Sequence, residues 1–402
     1  MPTEIARPVE VPVLDDDPFD PENLRDPYPM YARLREAGPV VYLPSCRHYA
    51  VARHTEVAAV LKDWQTFSSA AGVGLQDPRE PGYFRAPGLL LEQDPPDHAR
   101  FRKVFTPILA APSVRRLREG AEQRARALVD GLLARGTVDA VRDLAEVFPL
   151  QVLPDAIGLP VEGRELLLPM GELVFNGFGP PNELFGAALE RAAEARAWVA
   201  RCMLRENLAS VGYGATIYGF ADEGTITEHE AGMLVRNFLT AGIDTTVSAL
   251  SGALFHLAAD PTQWAALRAD PALARLAFEE TVRMLTPVQV MARSCTRPAR
   301  IGDAELPPGA RVLVFFGSAN RDPARWKDPD RFDVHRRPAG HLGFGSGVHS
   351  CLGQIAARLQ GEVMVAELAR RVERIELVGD PVWRLNNVMR GLGSLPVRLV
   401  AA

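Results

Sequence analysis

The sequence predicts a single domain that is mainly α-helical and carries small β-sheets. Two observations lead to this prediction. Apolar residues recur at helical spacing over most of the chain from Asp97 onward, and no Ser/Gly-rich linker or internal repeat divides the 402 residues. The composition, 47% hydrophobic and 24% charged, is that of a globular chain that can bury a large core. We therefore set aside the several domains that a typical size of about 150 residues per domain would suggest.

The N-terminal part is predicted to contain an extended arm, a helix and a pair of strands. Residues 1–17 are rich in Pro and Asp, and we expect them to lie as an arm on the body of a single domain, residues 18–402. The apolar spacing of Pro29–Glu36 is typical of a helix. Val40–Leu43 and His48–Ala52 have the pattern of two strands in a small hairpin.

The rest of the chain is predicted to be a helical body followed by a mixed C-terminal part. The helices of the body are expected at Val114–Leu133, Ala140–Ile157, Leu184–Leu208 and Glu228–Ala258. Two more helices follow Pro261. Short strands are then expected at Val288–Cys295, Arg300–Asp303 and Arg311–Phe316, and a last long helix from Cys351.

Charge and cysteine content exclude several classes of protein. Lys and Arg number 45 and Asp and Glu 50, a net charge of −5 without a basic stripe, so no nucleic-acid partner is expected. The four cysteines form no C-x-x-C pair, which argues against a disulfide framework or a structural zinc site. No signal peptide is visible, and no later stretch approaches the ~18 uncharged apolar residues of a membrane span. We expect a cytoplasmic protein without membrane association.

The run from Gly340 to Gln354 combines five glycines, two histidines and Cys351 where a loop enters a helix. Glycines let a tight loop approach a flat ligand, and a helix N-terminus favours the thiolate form of a cysteine. The alternative is an ordinary loop with an inert buried cysteine. A zinc site on His341, His349 and Cys351 lacks a fourth ligand nearby. A dinucleotide loop is not indicated, because no G-x-G-x-x-G follows a predicted strand.

Phe344-Gly-Ser-Gly-Val-His-Ser-Cys351-Leu-Gly353 resembles the haem-binding loop of the cytochromes P-450. Three further segments resemble family motifs in the same order: His98–Arg102 the propionate-binding helix, Thr240–Thr246 the oxygen-activating stretch, and Glu280–Arg283 the E-x-x-R pair. The resemblance extends from Asp26 to Val400, so the chain is identified as a member of this family. It implies the single-domain P-450 fold and the activity of a soluble bacterial haem-thiolate monooxygenase.

The resemblance also implies the cofactor, which is haem b (iron protoporphyrin IX) with Cys351 as the axial ligand of the iron. The other residues implied around the haem are Phe344, Gly345, Gly353, Ala241, His98, Arg102, Arg293 and His349. His349 stands where arginine is common, and as a donor it does the same job only partly charged. A haem-free binding protein is the alternative, against which the complete set of motif residues argues.

The stretch from Gly242 to Thr246 places poor helix formers inside a predicted helix, where Gly alone costs about 0.8–1.0 kcal/mol relative to Ala. We expect a local bulge that exposes backbone carbonyls and leaves room for a small ligand or water. The alternative is a helix break against a neighbouring helix. The resemblance implies that Thr245 holds the water network that delivers protons to dioxygen, and that Asp244 relays protons from solvent.

Glu280 and Arg283 lie three residues apart and so share one helix face. By itself such a pair is a surface contact worth about 0.2–0.5 kcal/mol. The resemblance implies instead a buried triad, completed by Arg331, that fixes the cysteine loop.

The substrate-facing segments resemble a narrower group, the bacterial monooxygenases that demethylate 4-methoxybenzoate and related para-substituted benzoates. The segments are Phe84–Leu91, Val174–Glu183, Leu234–Thr240 and Gly391–Val397. The resemblance implies a ring pocket formed by Leu91, Phe175, Phe178, Ala241, Val288 and Met291, and a carboxylate end formed by Arg85, Gly88, Arg236, Asn237 and Thr240. Gly88 and Asn237 stand where the relatives have hydroxyl groups. Asn237 is expected to donate through its amide, whereas Gly88 has no side-chain donor.

The expected reaction is oxidative O-demethylation of a para-methoxybenzoate-type acid with dioxygen. The chain has no flavin or iron–sulfur motif, so a ferredoxin with its reductase is expected to supply electrons, docking near Arg358, Lys103 and Arg100. Neutral methoxyphenols of the guaiacol type are the alternative substrates, because Met291 and Ala292 replace aromatic residues and enlarge the pocket. A peroxygenase or an isomerase on the same fold is a further alternative, against which Asp244 and Thr245 argue.

Overall fold

The computed structural model describes residues 11–402, so the first part of the predicted arm, residues 1–10, lies outside the described residues. The helices are α1 (Pro21–Arg25), α2 (Tyr28–Ala37), α3 (His54–Lys62), α4 (Asp97–Lys103), α5 (Ala111–Arg135), α6 (Val147–Ile157), α7 (Leu167–Asn176), α8 (Glu183–Arg191), α9 (Ala193–Cys202), α10 (Tyr213–Asp222), α11 (Glu228–Ala241), α12 (Asp244–Ala259), α13 (Pro261–Ala269), α14 (Ala274–Leu285), α15 (Phe316–Ala319) and α16 (Gln354–Arg371). The strands are β1 (Val41–Leu43), β2 (His48–Val51), β3 (Phe67–Ser68), β4 (Thr137–Asp139), β5 (Val290–Cys295), β6 (Ala299–Ile301), β7 (Ala304–Leu306), β8 (Arg311–Phe315), β9 (Val372–Leu377), β10 (Val382–Arg384), β11 (Gly391–Ser394) and β12 (Pro396–Ala401).

Short, separate sheets surround the helices. Within residues 11–402 the largest has the order β1-β2-β8-β5-β3, in which β2 and β8 run parallel and the other pairs antiparallel. A second sheet has the order β4-β12-β9, and β6-β7 and β10-β11 are hairpins. The predicted arm reaches the largest sheet, because the Tyr42 amide donates to the Pro12 carbonyl over 2.8 Å and the Leu14 amide to the Tyr42 carbonyl over 3.1 Å. Residues 12–14 therefore lie along the free edge of β1.

The helical body is built around α12, which is buried along most of its length and packs against α7, α14 and α16. In the described part of the chain, the main hydrophobic cluster joins residues from Phe19 to Leu399 in the sequence. A smaller cluster fills the space next to the largest sheet. The prediction of one mainly α-helical domain with small sheets is thus confirmed, because a continuous core leaves no boundary between domains.

Several element boundaries differ from the prediction. The range Leu184–Leu208 is not one helix: α8 and α9 are separated at Ala192, whose backbone leaves helical geometry with ψ near 7°. Ala140–Ala145 forms a π-helical turn before α6 begins. The predicted helix Glu228–Ala258 is interrupted between α11 and α12, as the cluster of poor helix formers indicated. The C-terminal strands β9–β12 were missed, since the burial of β9 does not alternate strictly along the strand.

The sequence analysis expects no stretch that is long and apolar enough to span a membrane, but the segment Glu228–Ala259 meets such a criterion. An 18-residue window within it has a mean hydropathy of 1.3, which together with the length of the segment is sufficient, by composition, for one span. In this fold 67% of that apolar window is buried against the rest of the protein, as in the core helix of a globular domain. Its apolar character therefore serves the core.

Candidate functional site

The cysteine loop enters α16 through two glycines with left-handed backbones. Gly345 and Gly347 have φ of 67° and 71°, which side chains rarely allow. A Cβ at Gly347 would lie 2.5 Å from the Leu61 carbonyl oxygen, so the loop packs directly on the backbone of α3. The Cys351 amide donates to the Phe344 carbonyl over 2.8 Å. This closed loop presents Cys351, which is exposed, to a cavity also lined by Ala241, Phe344 and Gly353.

The Cys351 thiol is subject to opposing influences. Desolvation by the surrounding protein raises its pKa, while the amides of Gly353 and Gln354 and the guanidinium groups of Arg102 and Arg358 act in the opposite direction. These donors and cations stabilise negative charge on sulfur, as a thiolate ligand of a metal requires. The raised pKa disfavours the thiolate in the protein alone, and a bound metal cation would favour it.

Four basic side chains line the cavity next to this loop: His98, Arg102, Arg293 and His349. The rings of His98 and His349 are 4.5 Å apart, and His349 Nε2 lies 2.9 Å from Ser69 Oγ. Burial, together with the neighbouring His349 and Arg102, lowers the pKa of His98 to about 4. His98 is therefore neutral near pH 7, while the arginines keep their charge.

Arg293 indicates what this cluster binds. Its side chain is buried, and within residues 11–402 its guanidinium makes a hydrogen bond only to the Ala292 carbonyl, at 2.8 Å. Burial lowers its pKa to about 10, and the nearest acid that opposes this shift is Asp94. A buried cation without a direct carboxylate partner is costly unless an anion compensates it. The cluster and the thiol fit a haem, which brings two carboxylates and an iron.

The interruption between α11 and α12 is closed by side-chain hydroxyl groups. Thr245 Oγ1 donates to the Ala241 carbonyl over 3.1 Å, and Thr246 Oγ1 to the Gly242 carbonyl over 3.2 Å. A Cβ at Gly242 would lie 2.5 Å from Leu153 Cδ2 and 2.7 Å from the Phe238 carbonyl oxygen. The close packing requires glycine here, and Ala241 and Thr245 line the cavity. The helix is interrupted at residues 242–243 and packs there against Leu153 of α6, which matches the alternative of a helix break; the expected bulge stays a prediction.

Asp244 lies behind Thr245 and is fully buried. Its Oδ1 accepts a hydrogen bond from the Arg384 guanidinium at 2.8 Å, whereas its Oδ2 has no hydrogen-bond partner among residues 11–402. Burial raises the pKa of Asp244, and Arg384 opposes this rise. The sequence analysis missed Arg384 because it lies 140 residues away, on the unpredicted strand β10.

The buried triad contains a different arginine from the expected one. Arg283 Nε and NH2 donate to the two carboxylate oxygens of Glu280, each over 2.8 Å, and both side chains are fully buried. The third member is Arg336, whose Nε donates to Glu280 Oε1 over 2.8 Å. Arg331 is exposed, so its assignment to the triad was wrong. The loop carries its guanidinium outward, and Arg336, five residues later, points inward.

The cations expected to dock a ferredoxin differ in their surroundings. Arg358 forms an ion pair with Glu279, and the Arg358 guanidinium lies 4.4 Å from the centre of the Phe344 ring. Glu279 also accepts a hydrogen bond from His341 Nε2 at 2.7 Å. Burial opposes ionisation of Glu279, but these partners outweigh it and bring its pKa to about 2. Arg100 pairs with Glu230 at 2.6 Å, whereas Lys103 forms no ion pair in the described part of the chain.

The zinc alternative gains no support from this arrangement. His341 is engaged with Glu279, and residues 11–402 contain no group of three or more His, Cys, Asp and Glu residues that could hold a metal ion. Cys351 is the cysteine that faces the cavity, while Cys202 and Cys295 are buried elsewhere.

The expected ring pocket continues from the cysteine loop. The predicted residues Leu91, Phe175, Phe178, Val288 and Met291 all line the same cavity. Phe175 lies near the end of α7 and Phe178 just beyond it, with their rings edge to face at 6.0 Å. Ala292, which was expected to enlarge the pocket, does not line it. This part of the cavity lining is therefore predominantly aromatic and aliphatic.

The residues predicted for the carboxylate end, Arg85, Gly88, Arg236, Asn237 and Thr240, also line the cavity. The Asn237 amide nitrogen donates to the Met233 and Leu234 carbonyls, both over 3.2 Å, and Thr240 Oγ1 donates to the Arg236 carbonyl over 3.0 Å. Donation from Asn237 to a substrate stays a prediction, and its amide nitrogen has these two hydrogen-bond partners in its own helix. The Asn237 Oδ1 lies 4.0 Å from where a Cβ of Gly88 would stand.

Glu92 is a residue of this end that the sequence analysis missed. Its carboxylate accepts hydrogen bonds from Arg85 and from the Gly88 amide. Only 2% of its surface is exposed, which is unusual for a glutamate and marks a specific role. Glu92 was not singled out in the sequence because it directly follows the apolar run Leu89–Leu91, which was interpreted as an apolar part of the pocket lining.

Comparison with known proteins identifies the family. Over 393 residues the chain is 53% identical to the cytochrome P450 CYP199A2 of Rhodopseudomonas palustris, covering 98% of this chain and 95% of that protein. The chain is a cytochrome P450. A family profile described as Cytochrome P450 matches residues 215–376 of it. The P450 is also 33% identical over 402 residues to a beta-dihydromenaquinone-9 omega-hydroxylase of Mycobacterium tuberculosis, covering 95% and 78% of the two chains.

Solved structures agree with this assignment. The P450 superposes with a TM-score of 0.85 on P450BioI in complex with hexadec-9Z-enoic acid ligated acyl carrier protein, at 26% identity and covering 94% of this chain and 100% of that one. It superposes with a TM-score of 0.84 on the cytochrome P450 CREJ in complex with (4-ethylphenyl) dihydrogen phosphate, at 27% identity and covering 95% and 98%.

Membership of the family establishes the cofactor and the class of reaction. Cytochromes P450 bind haem through a cysteine thiolate, and this P450 is a monooxygenase and thus an oxidoreductase. Bacterial members generally use dioxygen, small substrates and electrons from a ferredoxin and its reductase. The thiol, the basic cluster and the aromatic pocket lie along one cavity, so the fold brings together the groups that this chemistry needs.

Proposed function

We propose that this P450 removes the methyl group from para-methoxybenzoate-type acids by oxidative O-demethylation, in the cytoplasm, with electrons from a ferredoxin. The observation that carries the proposal is the polarity of the cavity. Arg85 and Arg236 form one charged group with Glu92, Cys351 belongs to another with Arg102 and Arg358, and most of the remaining residues that line the cavity are apolar. A flat ring with a carboxylate at one end and a methoxy group at the other fits a cavity with these two groups and an apolar lining.

In the proposed reaction one oxygen atom of dioxygen is inserted into a methyl C–H bond of the ether. The hemiacetal so formed loses formaldehyde and leaves a phenol, and two electrons and two protons reduce the other oxygen atom to water. The haem supplies the reductive activation of dioxygen. Phe175, Phe178 and Leu91 hold the ring, which keeps the methoxy group directed at the cysteine side of the cavity and excludes water.

Thr245 and Asp244 are the residues that we assign to proton delivery. The Thr245 hydroxyl donates to the Ala241 carbonyl, so its oxygen lone pairs face the cavity and can accept a hydrogen bond from water. Asp244 Oδ2, which is buried without a hydrogen-bond partner among residues 11–402, is the oxygen that we assign to proton exchange. Arg384 holds the other oxygen in place.

The comparisons are consistent with a para-substituted substrate. The ligand named with CREJ is a phenyl ring with an alkyl group opposite an anionic phosphate ester, which has the same order of groups as a para-methoxybenzoate. The segments around the pocket resemble the benzoate demethylases, and the 53% identity to a relative extends over nearly the whole chain. Both observations favour an aromatic acid.

A neutral methoxyphenol is the second candidate, and the orientation of Asn237 favours it. Because the Asn237 nitrogen is used by its own helix, its Oδ1 is an acceptor that faces Gly88. A phenol hydroxyl can donate to such an oxygen, whereas a carboxylate cannot.

An optical titration of the ferric protein tests both candidates. The reduced carbonyl complex is first recorded to establish thiolate ligation. We expect 4-methoxybenzoate to shift the haem from low to high spin and to yield 4-hydroxybenzoate and formaldehyde with ferredoxin and reductase. A shift with guaiacol but none with the benzoate would transfer the proposal to methoxyphenols, and the absence of a shift with both would contradict it.

A further inference from the structure

Glu92 forms a buried ion pair inside the substrate cavity. Arg85 NH1 donates to Glu92 Oε2 over 2.8 Å and Arg85 NH2 to Glu92 Oε1 over 2.6 Å, so the guanidinium and carboxylate face each other through two parallel hydrogen bonds. The side chains are 12% and 1% exposed. The Gly88 amide adds a third hydrogen bond to Oε2, at 2.6 Å. Two donors of Arg85 are thereby committed to the protein's own carboxylate.

Arg236 lies at the same end of the cavity in a different situation. Its NH2 group donates to the Ala86 and Pro87 carbonyls over 3.1 and 3.2 Å, and in the described part of the chain it has no carboxylate partner. Burial and the charge of Arg85 lower its pKa to about 10, while the charge of Glu92 opposes the shift. The three charged groups therefore interact electrostatically. Arg236 is the cation that no carboxylate neutralises directly, whereas Arg85 is paired with Glu92 and keeps only its Nε without a hydrogen-bond partner among residues 11–402.

We propose that Glu92 sets the charge of this end of the pocket at one net positive charge, and so directs the carboxylate of a monoanionic substrate to Arg236. This inference rests on the proposed function and specifies it. With Arg85, Arg236 and Glu92 the end carries two positive charges and one negative charge, and a monocarboxylate makes it neutral. A dicarboxylate would leave one uncompensated negative charge in a buried site, which is strongly unfavourable. Glu92 is thus a specificity-determining residue.

The Gly88 backbone supports this arrangement. A Cβ at Gly88 would lie 3.4 Å from Glu92 Oε2 and 4.0 Å from Asn237 Oδ1, so a polar side chain here would meet both oxygens. The Gly88 amide donates to Glu92 directly. The residue without a side-chain donor at this end thus still contributes a backbone donor that holds the Glu92 carboxylate.

A series of variants that changes the charge one step at a time tests the proposal. The wild type and the double variant Arg85→Gln/Glu92→Gln both carry one net positive charge, Glu92→Gln carries two, and Arg85→Gln carries none. Each is titrated optically with 4-methoxybenzoate, with neutral 4-methoxybenzamide, and with the dianion 4-methoxyphthalate. The ratio of the acid and amide dissociation constants is the readout, because damage to the ring pocket weakens both ligands alike.

We expect the dissociation constant of the acid, relative to that of the amide, to rise as the net positive charge of Arg85, Arg236 and residue 92 falls. Glu92→Gln should bind the acid at least as tightly as the wild type and should gain a spin shift with the phthalate, and Arg85→Gln should weaken the acid by about tenfold or more relative to the amide. The double variant should return to within roughly threefold of the wild type. It removes both members of the Arg85–Glu92 ion pair together, so neither is left without its partner. It therefore tests the proposal even where a single variant loses haem, as recorded by its reduced carbonyl spectrum.

Two results would overturn the proposal, and they differ from each other. In the first, the wild type responds to the acid, but the ratio of the acid and amide dissociation constants is the same in all variants. Glu92 would then have only a structural role, and the proposed function would stand. A wild type that responds to neither the acid nor the amide would contradict the proposed function itself, and the inference with it.

Discussion

The Asp244 carboxyl combines a guanidinium partner on one oxygen with an unpartnered second oxygen in residues 11–402. Burial raises its pKa and Arg384 limits that rise. A group that must take up and release a proton in each turnover works best when its pKa lies near the working pH. At the scale of a single residue, Arg384 is therefore the side chain that keeps Asp244 able to ionise.

Arg384→Gln should raise the pKa of Asp244 further, because removing a cation disfavours the carboxylate. The protonated form then persists to higher pH, so the pH at which product formation is fastest should move upward. Near pH 7 the rate should fall roughly tenfold or more, with an unchanged substrate-induced spin shift. The rate of product formation over a range of pH checks this, with Arg398→Gln as a control, because the Arg398 side chain on β12 is exposed. An identical pH profile would contradict the role of Arg384.

Arg336 and Arg331 allow a matched comparison, since they are the same residue type five positions apart. Arg336 donates to buried Glu280 and to the Lys327 carbonyl, whereas Arg331 is exposed. We expect Arg336→Gln to lower the free energy of unfolding by about 1.5–3 kcal/mol, because a hydrogen bond to a buried charge is lost. Arg331→Gln should change it by less than about 0.5 kcal/mol. Denaturant unfolding of both variants measures this, and equal losses would contradict the revised triad.

The junction of α11 and α12 is the element that most directly shapes the site. Its glycine is packed against Leu153 and the Phe238 carbonyl, and the hydroxyl groups of Thr245 and Thr246 occupy carbonyls of the preceding turn. Poor helix formers are tolerated here because each has a specific neighbour. The sequence predicted the interruption from propensity, but the neighbours that require it come from α6 and from the preceding turn of α11.

Gly242→Ala should destabilise the fold by about 1–3 kcal/mol, because the added methyl group has no room. Gly120→Ala in α5 is the matched control, since a Cβ added there would have no atom of another part of the protein within 4 Å and alanine is the better helix former. The control should gain up to about 1 kcal/mol. Thermal unfolding of the two variants checks the opposite signs, and a stabilised Gly242→Ala variant would show that the junction is not tightly packed.

Other elements show where pattern reasoning is limited. Long amphipathic helices and the first hairpin were predicted within a few residues, because their apolar spacing is regular. The division between α8 and α9 was not predicted, since Ala192 is a good helix former and only its packing ends the helix. Strands β9–β12 pair with each other and with β4, far away in sequence, so local pattern carries little information about them.

At the scale of the whole molecule, the site could be predicted where a motif is contiguous and not where partners come from distant segments. The cysteine loop and the residues lining the ring pocket lie in one cavity, as their motifs suggested. Arg384, Arg336 and Glu92 escaped prediction because their roles depend on which carboxylate or guanidinium the fold brings next to them. Ion pairs between distant residues are set by tertiary packing.

The surface on the cysteine side offers one clear test of electron delivery. Arg358 is tied to Glu279 and to the Phe344 ring, so changing it disturbs the cysteine loop as well as the surface. Lys103 forms no ion pair within residues 11–402. Lys103→Glu should slow reduction by the ferredoxin several-fold at low salt, because a rim charge mainly affects the association rate. Stopped-flow reduction measures this, and the substrate-induced spin shift should stay unchanged. Reduction at the wild-type rate would place the ferredoxin elsewhere.

The pairing of residues 12–14 with Tyr42 has a consequence for handling the protein. β1 ends the largest sheet, and the Pro12 carbonyl and the Leu14 amide satisfy backbone groups that would otherwise face solvent. Without them, the uncovered edge could accept a strand from a second molecule, the usual first step of aggregation through sheets. Truncations that remove residues 12–14, and affinity tags inserted directly after residue 11, would therefore reduce the yield of monomeric enzyme. They would do so although the catalytic cavity lies elsewhere in the fold.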